Sequence, residues 1–362
     1  MRSNNPYLCF SVAALATAIA SPVLAGGEAG KLELRDFGGK FVGYTTQDAA
    51  NNSVDVLNPM FVQYLLPARQ RHKYPVVFIH GGGGQGTDWL GTPDGRDGWA
   101  DYFVAEGWDV YVIDRPGHGR SQSNAGCGNG QVGRANSEFI ARLSTSSPSV
   151  WPGGEPTPKN SGVIGWAASS TTAPYCGNAV AAKAISALLD EIGPAVLIAH
   201  SAGGGATFLL PDLNAKNVVG IIAFEAAGAA PLAPGFGGAP PAIAGWVTQP
   251  PLPASFQAVD VDGCAMQGDR PSQLVNFAGI PVVLLGSEFG LQVLSGAGAR
   301  GAAVMKCQAA AWQQAGVDAS SVYFPDRGLM GGGHFAMAQL DNAEYAKVFI
   351  ELAKNIEGSA NK

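Results

Sequence analysis

The run at residues 195–205, Ala-Val-Leu-Ile-Ala-His-Ser-Ala-Gly-Gly-Gly, constrains this chain more than any other stretch. It opens with five apolar residues of strand type, passes through His200 and Ser201, and continues in small residues only. A buried strand that turns sharply into a helix with a serine at the corner has this composition, because the strained corner leaves no room for large neighbours. The usual signature is Gly-x-Ser-x-Gly; here it reads Ala199-His200-Ser201-Ala202-Gly203, with alanine keeping bulk low at the first small position. A helix beginning beyond Ser201 aims its free N–H groups and dipole at negative charge formed at the corner. A serine so placed suits nucleophilic attack. The same residues would also serve a turn that merely ends a strand, so the flanking sequence has to decide.

The flanks repeat a strand-then-helix rhythm. Residues 31–66 hold short alternating pieces around Phe41-Val42-Gly43-Tyr44 and Phe61-Val62-Gln63-Tyr64, an antiparallel start to a sheet. Continuous apolar runs follow at 75–79, 110–113, 195–199, 218–224 and 281–285, with a shorter one at 322–324. Strands apolar on both faces belong to a parallel sheet covered on both sides. Helical spacing appears at 99–106, at Val180, Ala184, Leu188 and Ile192, at 302–315, and at Tyr345, Val348, Phe349, Leu352 and Ile356, with Gly358 expected as the last stop. This alternation predicts an α/β fold, a mostly parallel twisted sheet with helices on both faces. Two Pro/Gly/Ser-rich stretches, about 121–177 and 226–278, interrupt it and read as loop-rich cap insertions, since long irregular segments inside a domain are usually lids or binding loops. Residues 26–362 then form one domain.

Only 14% of the 362 residues are charged, so the chain can bury a large core, and the net charge of -6 gives no electrostatic reason for a nucleic-acid partner. Arg2, an apolar run at 8–20 and the small residues of Val23-Leu24-Ala25 predict an export signal ending at Ala25, too short for a comfortable membrane span. The alternative is a retained N-terminal anchor. Cleavage leaves a periplasmic or secreted chain without a membrane anchor. Cys9 departs with the signal, and four cysteines remain: Cys127, Cys176, Cys264 and Cys307. An even count in an exported chain favours two disulfides. The pairs Cys127–Cys176 and Cys264–Cys307 are expected because each brackets one irregular segment. No cysteine or histidine spacing points to a metal site, and no cofactor is expected.

A serine hydroxyl needs a base, a partner to orient that base, and donors for the oxyanion. Among five histidines, His72 precedes a strand and is expected to be exposed. His80 and His200 brace the turns they begin, and His118 is a loop residue in the Asp114-Arg115-Pro116-Gly117-His118-Gly119-Arg120-Ser121 run. His334, late in the chain on a glycine-flanked loop, fits the order serine, acid, histidine. For the acid, Glu225 and Glu288 each follow a strand end, and Asp326 reads as a solvated turn residue. The residues leave Glu225 and Glu288 open. The glycine run after His80 reads as an oxyanion loop facing Ser201.

The marks His80-Gly81, Thr92-Pro93-Asp94-Gly95-Arg96 with Gly98-Trp99, Asp114 with Gly119-Arg120-Ser121, and His200-Ser201 resemble a family of exported bacterial esterases of the α/β-hydrolase fold, typified by an Alcaligenes esterase. The resemblance covers roughly 61–121, 194–228 and 280 onwards. It implies a serine carboxylic-ester hydrolase acting on small-molecule esters through an acyl-enzyme on Ser201, with His334 as base. It also implies Glu225 as acid, Glu288 held in reserve, and the N–H groups of Gly82 and Ala202 as oxyanion donors. One departure is clear: the typifying esterase has two adjacent, mutually bonded cysteines where this chain has Gly82-Gly83. An acyltransferase with the same triad is the alternative. A non-catalytic binding protein on this scaffold is expected to lack a triad member, and none is missing.

Overall fold

The computed structural model of this chain describes residues 31–121, 127, 136–170, 176–233, 240–290 and 301–361. The expected export signal, with Cys9, lies outside the described residues, as do parts of both expected insertions. Eight strands form the main sheet: β1 (Leu34–Val42), β2 (Met60–Pro67), β3 (Val76–Ile79), β4 (Val110–Asp114), β5 (Ala195–His200), β6 (Val218–Phe224), β7 (Val282–Gly286) and β8 (Ala319–Tyr323). Their spatial order is β1-β2-β4-β3-β5-β6-β7-β8. β2 pairs antiparallel with β1 and β4, and every other pairing is parallel.

The apolar runs are explained by what lies on either side. Side chains alternate between the two faces of a strand. Val77 and Ile79 of β3, with Ala195, Leu197 and Ala199 of β5, enter one core; Val76, Phe78, Val196 and Ile198 enter the other. The second core is closed by α1 (Trp99–Ala105), α2 (Ser137–Leu143) and α3 (Ser161–Ser169), and the first by α4 (Asn178–Ile192) and α5 (Ala302–Gln314). The C-terminal α6 (Asn342–Ala360) packs with α1. Trp89, Trp99, Trp108, Trp151 and Trp312 are fully buried. A tryptophan buries roughly 200 Å², at most about 5 kcal/mol of apolar transfer each.

Within the stretch 121–177, the described residues 136–170 are more regular than their composition suggests. They carry α2 and α3, each started by an asparagine: the Asn136 side chain accepts the Glu138 and Phe139 N–H groups, and Asn160 accepts that of Val163. Serine and glycine weaken intrinsic helix propensity, and here capping and burial of Ile140, Val163 and Trp166 outweigh it. This segment docks on the loop before α6: the Ser147 N–H donates to Gly331 O at 2.8 Å, Leu340 N–H to Val150 O at 2.7 Å, and Trp166 meets Phe335 at 5.3 Å. The stretch 226–278 holds a hairpin of Val259–Val261 and Cys264–Met266, and its Trp246 packs among Phe208, Phe277 and Trp312. Both expected disulfides are present, Cys127–Cys176 and Cys264–Cys307; the second ties the hairpin to α5.

Two smaller expectations are corrected. α6 runs through Gly358 to Ala360, because a glycine in an exposed last turn costs only about 1 kcal/mol. His72 is half-buried rather than exposed; it stacks on Trp108 at 3.8 Å and meets Glu357 Oε2 at 2.7 Å. Among the described residues no helix is long and apolar enough to cross a membrane.

Candidate active site

β5 ends at His200, and the next residue, Ser201, has φ +48°. A serine rarely adopts this left-handed conformation, which costs about 1–3 kcal/mol and is held by its surroundings. The Ser201 carbonyl accepts the Ala227 N–H at 2.7 Å, fastening the corner to the loop after β6. Gly203 must be glycine: a Cβ there would stand 2.6 Å from the His80 carbonyl and 3.0 Å from that of Ile79. The helix expected beyond Ser201 is a helical run in pieces, Ser201–Gly203, Gly204–Thr207 and Leu210–Asn214.

Three side chains from distant segments meet at this corner. Ser201 Oγ lies 3.0 Å from His334 Nε2, and His334 Nδ1 lies 2.6 Å from Glu225 Oε2. His334 and Glu225 are 2% and 7% exposed. Glu225 follows β6, itself at φ +44°. Its other oxygen, Oε1, accepts the Ser287 N–H at 2.9 Å and also the Ser287 hydroxyl. Both carboxylate oxygens are therefore committed, which fixes the plane of the group. A Cβ on Gly290 would run into this carboxylate.

Glu288 sits elsewhere. Its Oε2 accepts the Gly331 N–H at 2.7 Å, and beside it the Phe289 N–H donates to Gly332 O at 2.9 Å. Glu288 thus secures the loop that carries His334 rather than the imidazole. Asp326 lies in the short turn Phe324–Arg327 after β8. His200 also holds the histidine loop: its Nε2 meets the His334 carbonyl at 2.9 Å. A carbonyl only accepts, so His200 Nε2 bears the proton and Nδ1 is a bare lone pair. Burial, with His334 alongside, holds His200 well below the usual imidazole range, so it stays neutral. Burial and the Arg115 charge hold His80 well below that range too, and take His118 down to about 4.

The glycine loop faces the serine. A Cβ on Gly81 would lie 2.9 Å from Ser201 Cβ, and one on Gly82 would lie 3.3 Å from Ala202 Cβ. The far end of the loop is held by Asp114, whose Oδ1 accepts the Gly86 N–H at 2.6 Å and whose Oδ2 accepts Arg120 Nε at 2.7 Å. Ser287, His200 and Arg115 are the contributors that sequence reasoning did not assign to the site. A polar residue at, or directly after, the end of a buried strand was their common signal. Among the described residues no group of three or more His, Cys, Asp or Glu is arranged to hold a metal ion.

Asp88, beside this loop, is buried and offers a test of its packing. Burial pushes its carboxyl up to about 8, against a hydrogen bond from the Gln85 backbone. An aspartate in the unfolded chain ionises near pH 4. Between about 4 and 8 the folded chain therefore binds more protons, and stability falls as pH rises, by up to about 1.4 kcal/mol per pH unit. Asp88→Asn is expected to remove this slope, matching the parent near pH 4 and exceeding its stability at pH 9. Urea midpoints across that range check it; parallel curves for the two proteins would reject the prediction.

A mostly parallel eight-stranded sheet in this order, with a serine on the sharp turn after β5 and a histidine on a loop before the last helix, defines an α/β-hydrolase fold. A family model described as alpha/beta hydrolase fold matches residues 74–245. The protein named "Probable secreted lipase phiG", from a fungal species (strain ATCC 74256), is 30% identical over 318 residues, covering 80% of this chain and 84% of that protein. A solved structure described as the atomic-resolution structure of a novel bacterial esterase is 21% identical. It covers 91% of this chain and 98% of its own, with a TM-score of 0.64, extending the likeness of fold to nearly the whole length. The chain belongs to the alpha/beta hydrolase family.

Proposed function

We propose that this protein is an exported serine hydrolase of carboxylic esters, with Ser201 as nucleophile, His334 as general base and Glu225 as its orienting acid. The observation that carries this reading is the unbroken hydrogen-bonded run from Ser201 Oγ through His334 to Glu225. In this mechanism His334 Nε2 takes the proton as Ser201 Oγ attacks the ester carbonyl. Glu225 keeps the proton on Nδ1 and stabilises the imidazolium that forms. The N–H groups of Gly82 and Ala202 receive the oxyanion, each donor contributing about 3 kcal/mol to lowering the barrier. The imidazolium then protonates the departing alcohol. Water, activated by the same histidine, releases the acid and restores the serine.

Export is supported by the leader read at residues 1–25, the two disulfides, and the word "secreted" in the name of the fungal relative. The segments 121–177 and 226–278 act as caps, with Ser147, Val150 and Trp166 of the first seated against the His334 loop. The relative's lipase name places long-chain acyl esters beside short ones among the substrates to try.

The test combines a fluorophosphonate probe with p-nitrophenyl esters of increasing acyl length. One covalent label on Ser201 and turnover of at least one ester are expected. A protein that takes no label and hydrolyses none of the esters is a binding protein on this scaffold. Products formed with added alcohols separate hydrolysis from acyl transfer.

A further inference from the structure

The loop that follows His80 consists of four glycines, and nothing in their own chemistry fixes a peptide plane there. The Gly81–Gly82 peptide matters most, because Gly81 lies against Ser201. In a trans peptide the C=O and the following N–H point in opposite directions. Whatever holds the Gly81 carbonyl therefore sets where the Gly82 N–H points. Two donors hold it: Arg115 Nη2 at 2.7 Å and His80 Nδ1 at 2.8 Å. The Arg115 main-chain N–H donates to His80 Nε2 at 2.9 Å. That leaves Nε2 as the acceptor, so the ring proton is on Nδ1 and faces the Gly81 carbonyl.

From this arrangement, and resting on the assignment of the Gly82 N–H as an oxyanion donor, we infer that Arg115 is the positioning residue that orients the Gly81–Gly82 peptide for catalysis. It acts twice, through its guanidinium on the carbonyl and through its backbone on the ring that supplies the second donor. The residue is only 1% exposed. A flipped peptide would turn an N–H toward a buried cation and a histidine N–H, and leave both donors without the carbonyl. A charge-assisted bond to a carbonyl also polarises its peptide, strengthening the N–H on the other side. A charge-assisted hydrogen bond behind the loop thus limits the freedom of its glycines. The sequence signal was the charged residue directly after β4, inside a run that reads as a structural turn.

The test uses the full mature chain and the variants Arg115→Met and Arg115→Lys, with Ser201→Ala as the inactive control. Turnover of p-nitrophenyl acetate and inhibition by a trifluoromethyl ketone, which forms a tetrahedral adduct with a serine, are measured together. In Arg115→Met, kcat should fall about 10²-fold with KM little changed, as for loss of one oxyanion donor. Affinity for the ketone should weaken by a similar factor, Arg115→Lys should lie between, and added guanidinium ion should restore part of the Arg115→Met activity. Crystal structures should show the Gly81–Gly82 peptide turned in Arg115→Met. Kinetics and ketone affinity close to the parent's, or an unturned peptide, would overturn the inference. If the parent protein hydrolyses no ester, the esterase reading fails, and peptide orientation alone decides this one. Should Arg115→Met not fold, Arg115→Lys carries the same measurements.

Discussion

Glu225→Gln is expected to lower kcat by about 10⁴-fold, the cost of holding a catalytic histidine in the wrong tautomer. Ser287 decides which way the new amide would turn. Its N–H can only donate, and it points at Glu225 Oε1. A glutamine at this position must therefore keep its carbonyl oxygen there and turn its amide NH₂ toward His334 Nδ1. That nitrogen becomes the acceptor, the ring proton moves to Nε2, and the group facing Ser201 can no longer take a proton. Glu288→Gln makes the comparison informative. An amide oxygen still accepts the Gly331 N–H that Glu288 Oε2 now binds at 2.7 Å, so a change of less than about tenfold is expected, within the range of one altered neutral hydrogen bond. Steady-state kinetics on one ester decide the matter. A larger loss for Glu288→Gln than for Glu225→Gln would reverse the assignment of the acid.

Ser201→Ala is expected to have the larger effect, about 10⁶-fold in kcat, with loss of all fluorophosphonate labelling. Alanine keeps the Cβ and removes only Oγ, whose hydrogen bond in the structure is to His334 Nε2. The main-chain bond from Ala227 to the Ser201 carbonyl does not depend on the side chain. The thermal midpoint should therefore stay within a few degrees of the parent, and near-UV circular dichroism should be unchanged. Retained turnover in Ser201→Ala would dismiss the nucleophile; a collapse of the fold would instead give the residue a structural role.

Much of this was legible in the sequence, and the reason is local. A strand buried on both faces shows itself as an unbroken apolar run, and a crowded corner as small residues around a serine; neither needs knowledge of the rest of the chain. The Cys127–Cys176 pair was legible because it brackets a segment without strong periodicity, whereas Cys264–Cys307 also encloses β7. The two helices within 121–177 were not legible, since α2 and α3 draw their stability from asparagine caps and from burial of Ile140, Val163 and Trp166 rather than from propensity. The choice between Glu225 and Glu288 was not legible from the residues alone. Both follow the ends of neighbouring parallel strands, and a carboxylate's direction there depends on strand register and backbone angles, φ +44° at Glu225 among them.

The sequence by itself determined the class of fold, the corner that presents Ser201 and the segments that two disulfides close. Only the tertiary structure decided which carboxylate meets His334, which residues hold the histidine loop, and what fixes the glycine loop. The difference is one of range. Periodicity and steric crowding act between residues a few positions apart, whereas Arg115 and Gly81, Ser287 and Glu225, and His200 and His334 are 34, 62 and 134 residues apart along the chain. Their hydrogen bonds exist only after the sheet has assembled and brought its loops to one edge.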